Sequence, residues 1–214
     1  MDSRSPYGQL PELDLELFLK RLVPWFGKLL LWIGIGVLGA TLYGILNDQI
    51  TMTLSPEYFS VFKRAQFMEN LYQFGLLEAP VRVQAVLIGT LATWWFGLFL
   101  GIALGISSMV GRYSALSTQD YLRAVVGIMV CTFALSLVFG LVAYLVEPAI
   151  KPVPANWPFL RDIHAVRGAF AIGAWHVGAY LGGFVGTVLA CFWAQRRRSV
   201  LARQSCAPAT AGKR

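Results

Sequence analysis

Four long apolar runs, separated by short polar stretches, set the pattern of the chain. The first covers residues 25–46 with Lys28 as its one charge, the second is charge-free over 83–111, the third covers 124–146, and the fourth is charge-free over 168–195. Each reaches the roughly 20 residues that an α-helix needs to cross a hydrocarbon core. The pattern predicts an all-α integral membrane protein. It is a four-helix bundle with spans at about 25–46, 83–110, 124–146 and 168–195, loops 47–82 and 147–167 on one face, and a small extracytoplasmic cap. A lead over 1–24 carries a short amphipathic helix, 12–23, with acids first and Lys20–Arg21 last, in the sense that suits the helix dipole. Asp2, Glu12, Asp14 and Glu16 in this lead are unlike a signal peptide, so the first span reads as uncleaved. The tail, 199–214, is small, polar and basic, and is predicted to be disordered.

The polar patterned stretch directly abutting a span is 47–62, NDQITMTLSPEYFSVF. Ile50, Met52 and Leu54 alternate with Gln49, Thr51 and Thr53, which predicts a short strand over 49–54. Ser55-Pro56-Glu57 reads as a helix start, with a capping hydroxyl, a proline at the first helical position and an acid in the first turn. An amphipathic helix over 56–77 follows: Tyr58, Val61, Phe62, Ala65, Met68, Tyr72 and Leu76 share one face, and Lys63, Arg64, Asn70 and Gln73 lie off it. Two readings of the stretch compete. In one, every residue has a local capping role where the chain leaves a span. In the other, Asp48, Gln49, Glu57 and Tyr58 line a polar pocket at the membrane surface.

Asp48-Gln49-Ile50-Thr51 followed by Ser55-Pro56-Glu57-Tyr58-Phe59, in a small multi-spanning chain, resembles a group of uncharacterised bacterial inner-membrane proteins with a similar stretch after their first span. The resemblance covers about the first half of the chain. It implies location and architecture, and no activity.

Composition sharpens this. The chain is 57% hydrophobic and 14% charged, against about 25% charged in soluble domains, so its solvent is the lipid bilayer. The net charge of +7 is concentrated near the span ends, which points to orientation and anionic lipid rather than to nucleic acid. Lys and Arg number twelve in the lead, the middle loop and the tail, against six in the other two loops, which puts both termini in the cytoplasm.

Small residues recur every four positions in two spans: Gly89, Thr93, Gly97, Gly101 and Gly105 in the second, and Ala174, Gly178, Gly182, Gly186 and Ala190 in the fourth. Such seams allow close helix contact. The simplest expectation is that these two spans pack on each other; a homodimer seam is the rival. Tryptophans favour the interface. Trp94–Trp95, with Trp175 and Trp193 bracketing the fourth span, therefore predict helical extensions over 79–90 and 163–174 beyond the headgroups.

Candidate chemistry is sparse. Cys131, Cys191 and Cys206 have no metal spacing, and the first two fall inside spans as small hydrophobes. His164 and His176 are twelve residues apart on one helical stretch, about 18 Å along its axis, so one haem or metal cannot take both. No cofactor or metal is expected, and His176 is expected at the interface beside Trp175. The candidate outer polar site is Asp48, Gln49, Glu57, Tyr58, Arg161 and His164, with Glu69 and Asp162 on the same face; ion pairs and caps are its competing reading. No charge is expected deep in any span, where carriers usually keep one. These features favour a non-enzymatic accessory or scaffold protein working through helix contact or a partner docked on the cap. The alternatives are a small solute transporter or channel using Asp48, Glu57 and His164, and a membrane enzyme with an outer metal site.

Overall fold

The computed structural model describes residues 15–146 and 164–206, and among them there is no strand. The elements are α1 (Leu15–Leu54), a π-helical turn (Tyr58–Lys63) that runs into the short helices α2 (Arg64–Gln66) and α3 (Met68–Gln73), and then α4 (Val81–Met109), α5 (Thr118–Val146) and α6 (Val166–Cys206). Among the described residues, four helices are long and apolar enough to cross a membrane, over Leu22–Leu54, Val81–Met109, Thr118–Val146 and Val166–Ser205. The chain is an all-α, multi-pass membrane protein built as a four-helix bundle. Leucines, valines, isoleucines and phenylalanines stay exposed along all four helices, the outward surface that lipid tails solvate.

The bundle is assembled from two antiparallel hairpins, α1/α4 and α5/α6. In the first, the position of a Cβ added to Gly97 lies 2.7 Å from Gly36 O, and one added to Gly101 lies 2.8 Å from Ile33 Cα. In the second, a Cβ on Gly178 would lie 2.7 Å from Leu135 O, one on Gly182 2.7 Å from Thr132 Cα, and one on Gly186 3.2 Å from Ile128 Cα. Hydrogen at these positions is what lets the backbones touch. The expectation that the seams of the second and fourth spans pack on each other is therefore corrected. Each seam faces a different helix of the same chain. Gly105 is milder, because what its Cβ would meet is the movable end of Leu29. α4 and α6 run parallel and join the hairpins, with Phe96 against Gly183 and Tyr180 OH donating to Ala92 O.

The strand predicted over 49–54 is the last turn and a half of α1. Thr51 Oγ1 donates to Asn47 O and Thr53 Oγ1 to Gln49 O, each at 2.9 Å, so both hydroxyls are satisfied inside the helix. The continuous helix predicted over 56–77 is broken at Phe67 (φ −110°, ψ 17°). Gly75, at φ +66°, closes α3, with Leu76 N–H donating back to Leu71 O at 2.8 Å. Ser55 does not cap: its hydroxyl is buried without a partner. Ser117 does, accepting from Asp120 N–H at 3.1 Å to start α5. α1 runs through Pro24, where the lead was expected to end before the span.

α6 continues to Cys206, well into the predicted disordered tail, because Arg198 anchors it. Its guanidinium, 2% exposed, donates to the carbonyls of Ser107, Met109, Val110, Tyr113 and Ser114. These carbonyls are orphaned where α4 ends and the loop begins. Lys28 Nζ donates to Leu116 O in the same region. The start of α1, the end of α4, the start of α5 and the end of α6 thus share one end of the bundle; residues 55–80 close the other.

Candidate functional site

The site begins with the last turns of α1. Asn47, Asp48, Thr51, Met52 and Ser55 are buried, while Ile50 and Leu54 are exposed. This is helical spacing with the usual polarity reversed: polar groups face inward and apolar ones outward. In the π-helical turn, Tyr58 and Lys63 stand five residues apart, one π-turn, and both are buried. An α-helical turn would have rotated Lys63 off that face.

α6 supplies the opposing wall. Trp175 Nε1 donates to Asn47 Oδ1 at 2.7 Å and ties α6 to α1 across the bundle. One residue on, His176 stacks on Tyr58, with ring centroids 5.5 Å apart and 17° between planes, and meets the edge of Phe59. His176 Nε2 lies 3.9 Å from Asp48 Oδ1, too far for a hydrogen bond. The Asp48 side chain is 4% exposed and that of His176 12%. Asp48 Oδ2 and His176 Nε2 are both buried without a hydrogen-bond partner. Two unsatisfied polar atoms side by side are costly to fold, and natural structures carry few of them.

Asn47, Asp48 and His176 line a partly enclosed cavity of about 60 Å3, walled also by Tyr43, Thr93 and Tyr180 and by the apolar Leu100, Val125 and Ile128. Next to it runs an open groove of about 680 Å3, lined largely by aromatic and aliphatic side chains such as Phe62, Trp95, Phe139 and Val177. Lys63, Ala92, His176 and Tyr180 belong to both walls. Asp48 lines the smaller space alone.

Lys63 and Tyr58 lie outside the four membrane-crossing stretches. Burial holds the Lys63 ammonium below its ordinary 10.5, and the Asp48 carboxylate partly restores it. Burial raises the Tyr58 phenol above its ordinary 10.0, with Asp48 and Tyr180 adding to the rise. Lys63 Nζ is held 5.6 Å from the ring centroid of Phe67, a weak cation–π contact. An acid, an amine and an imidazole in one buried space can bind a small polar group by charge and hydrogen bonds, or exchange protons with it.

Of the residues singled out from sequence, the structure brings Asp48 and Tyr58 together. Gln49 faces elsewhere, with its Nε2 donating to Arg82 O at 2.9 Å on the flank of α4. Glu57 Oε2 accepts the Ala165 N–H at 2.9 Å and so sits at the start of α6, where a carboxylate complements the helix dipole. His164 is exposed and does not line the cavity. Arg161 and Asp162 lie outside the described residues, as does the proline-rich stretch 151–158. Glu69 accepts from Gln73 Nε2 on the surface. Two further expectations are corrected. His176 is not an exposed interfacial ring, and the helices do hold ionisable groups inside the bundle, Asp48 and His176. Sequence reasoning missed Lys63, His176 and Tyr180. His176 and Tyr180, four apart on one helix face, were a visible signal; Lys63 was hidden by the π-turn. Comparison with protein-family models, with curated proteins and with solved structures finds no match for this chain.

Proposed function

We propose that this chain is a small membrane carrier that binds a polar solute inside the bundle, between Asp48, Lys63 and His176. One observation carries the reading: Asp48 Oδ2 and His176 Nε2 are both buried and unpartnered beside a cavity that Lys63 also lines. Ionisable groups inside a membrane bundle are expensive and mark ligand or proton paths. The accessory reading loses two of its three supports, since the glycine seams are filled within the chain and ionisable groups are buried; the patterned cap remains. The surplus of Lys and Arg at the end that carries the start of α1 and the end of α6 supports cytoplasmic termini. The resemblance carried by Asp48–Thr51 and Ser55–Phe59 supports a bacterial inner membrane.

Proteoliposomes test the proposal directly. A panel of labelled small zwitterions, amines and anions is offered to wild type and to Asp48→Asn. Uptake by wild type that the variant lacks supports the carrier. Equal uptake by both, or uptake by neither, removes it.

A further inference from the structure

We infer that the ligand of this site is a membrane-phase amphiphile whose head carries a primary ammonium and a phosphate, entering sideways through the groove beside α6. The inference rests on the binding role proposed for Asp48, Lys63 and His176, and it names the class of ligand.

The two spaces share Lys63, Ala92, His176 and Tyr180; they differ in size and in where Asp48 lies. By the same volume measure a water position takes about 10–15 Å3, so the smaller cavity of about 60 Å3 holds roughly four to six water-sized centres. That suits the few heavy atoms of an ammonium-ended head and excludes an acyl chain. The groove, at about 680 Å3 and lined mainly by apolar side chains, is large enough for a chain, and its polar lining includes Lys63 and His176, which it shares with the cavity. Charge is ordered along the same path. Asp48, the one acid among the described residues that lines either space, lies in the smaller part, with Oδ2 unpartnered. Lys63 and His176 stand where the cavity meets the groove.

A carboxylate at the far end, a cation at the junction and an aromatic channel beyond match a head with its amine outermost, its phosphate next and its chain last. A primary ammonium can donate to Asp48 Oδ2, whereas a quaternary one has no N–H to give. Lys63 and the unpartnered His176 Nε2 can then face the phosphate. Groove residues Leu91 and Phe139 belong to α4 and α5, so the chain would lie against both hairpins.

Photolabelling tests this in vesicles of phosphatidylcholine and phosphatidylglycerol. A trace of phosphatidylethanolamine with a diazirine in its acyl chain is added, and labelled peptides are mapped by mass spectrometry. Labelling at Phe139, Phe170 or Val177 should exceed that from the matching phosphatidylcholine probe about tenfold. It should fall to that level in Asp48→Asn, while labelling of the outward Leu38 and Leu42 stays constant. Groove labelling indifferent to head group and to Asp48→Asn marks ordinary surrounding lipid and overturns the inference. So does full competition by free phosphoethanolamine at equal concentration, which makes the ligand a water-soluble head. The carrier reading survives that second result, because soluble solutes are scored separately in the uptake assay. A Val177→Trp variant that keeps its thermal midpoint and loses groove labelling supports sideways entry; undiminished labelling in it counts against that route.

Discussion

Asp48→Asn separates the two roles that a buried carboxylate can have. If Asp48 were a structural anchor, removing its charge would break a buried pair and cost about 3–5 kcal/mol. The geometry argues otherwise. Oδ2 has no hydrogen-bond partner and Oδ1 is 3.9 Å from His176, so the Lys63 charge and the Asn47 side chain are what offset the desolvation of the carboxylate, and only in part. The thermal midpoint of Asp48→Asn in detergent should equal or exceed that of wild type while ligand uptake is lost. A midpoint many degrees lower would make Asp48 a strut. Lys63 gives a pH test. Its folded pKa lies below the ordinary 10.5, so the unfolded chain binds more protons, and wild-type stability rises with pH between the depressed value and 10.5. Tyr58, raised above 10.0, works against this only where free tyrosine ionises. From pH 7 to pH 10, wild type should therefore gain in midpoint relative to Lys63→Met, and a gap that stays constant would mean that Lys63 does not titrate in this window. These residues also show what sequence could reveal. Asp48 and Tyr58 were legible because they sit in a polar break beside an apolar run. Lys63 was not, since a π-turn, with hydrogen bonds from i to i+5, cannot be read with a 3.6 period.

At the scale of elements, glycine spacing was legible and glycine partnership was not. A residue every four positions marks a face for close contact, yet hydrogen side chains carry nothing that names the opposite helix. The partner of the α4 seam is written on α1, where Gly36 and Gly44 meet Gly97 and Gly89. The α6 seam meets backbone of Thr132, Leu135 and Ile128, with no glycine opposite to betray it. Gly101→Leu should accordingly force α1 and α4 apart, since its Cβ would lie 2.8 Å from Ile33 Cα. Overpacking alone costs about 1–3 kcal/mol, and backbone offers less give than a side chain. Gly34→Leu is the control, with nothing within 4 Å of its added Cβ. Size-exclusion profiles and thermal midpoints in detergent should show the first variant lowered and the second unchanged; equal behaviour would deny the α1/α4 contact. The mistaken strand at 49–54 has a related cause. Ile50, Met52 and Leu54 alternate, but the periodicity that counts is that of the inward polar set, Asn47, Asp48, Thr51 and Ser55. In a helix that faces lipid, apolar residues on the outside blur the pattern that soluble proteins make clear.

For the whole molecule, span number and helical class were legible because both depend on composition over twenty or more residues, which local conformation does not alter. Sidedness is the property that the bundle turns into an experiment. The helix contacts put Lys28, Arg112, Arg123 and Arg196–Arg198 at the end where Arg198 clasps the α4–α5 loop. The other end carries Lys63, Arg64, Arg82 and Arg167, of which Lys63 is buried. Basic residues flanking spans resist translocation, so the α6 terminus should face the cytoplasm and the segment between α1 and α4 the opposite side. Tyr72, 71% exposed on α3, reports this without touching the site. In a background with Cys131, Cys191 and Cys206 changed to serine, Tyr72→Cys in intact cells should react with a membrane-impermeant maleimide. Arg203→Cys near the end of α6 should react only after the cells are opened. The opposite pair of results would place the cavity mouth near the cytoplasmic leaflet and reverse the face from which a head group reaches Asp48.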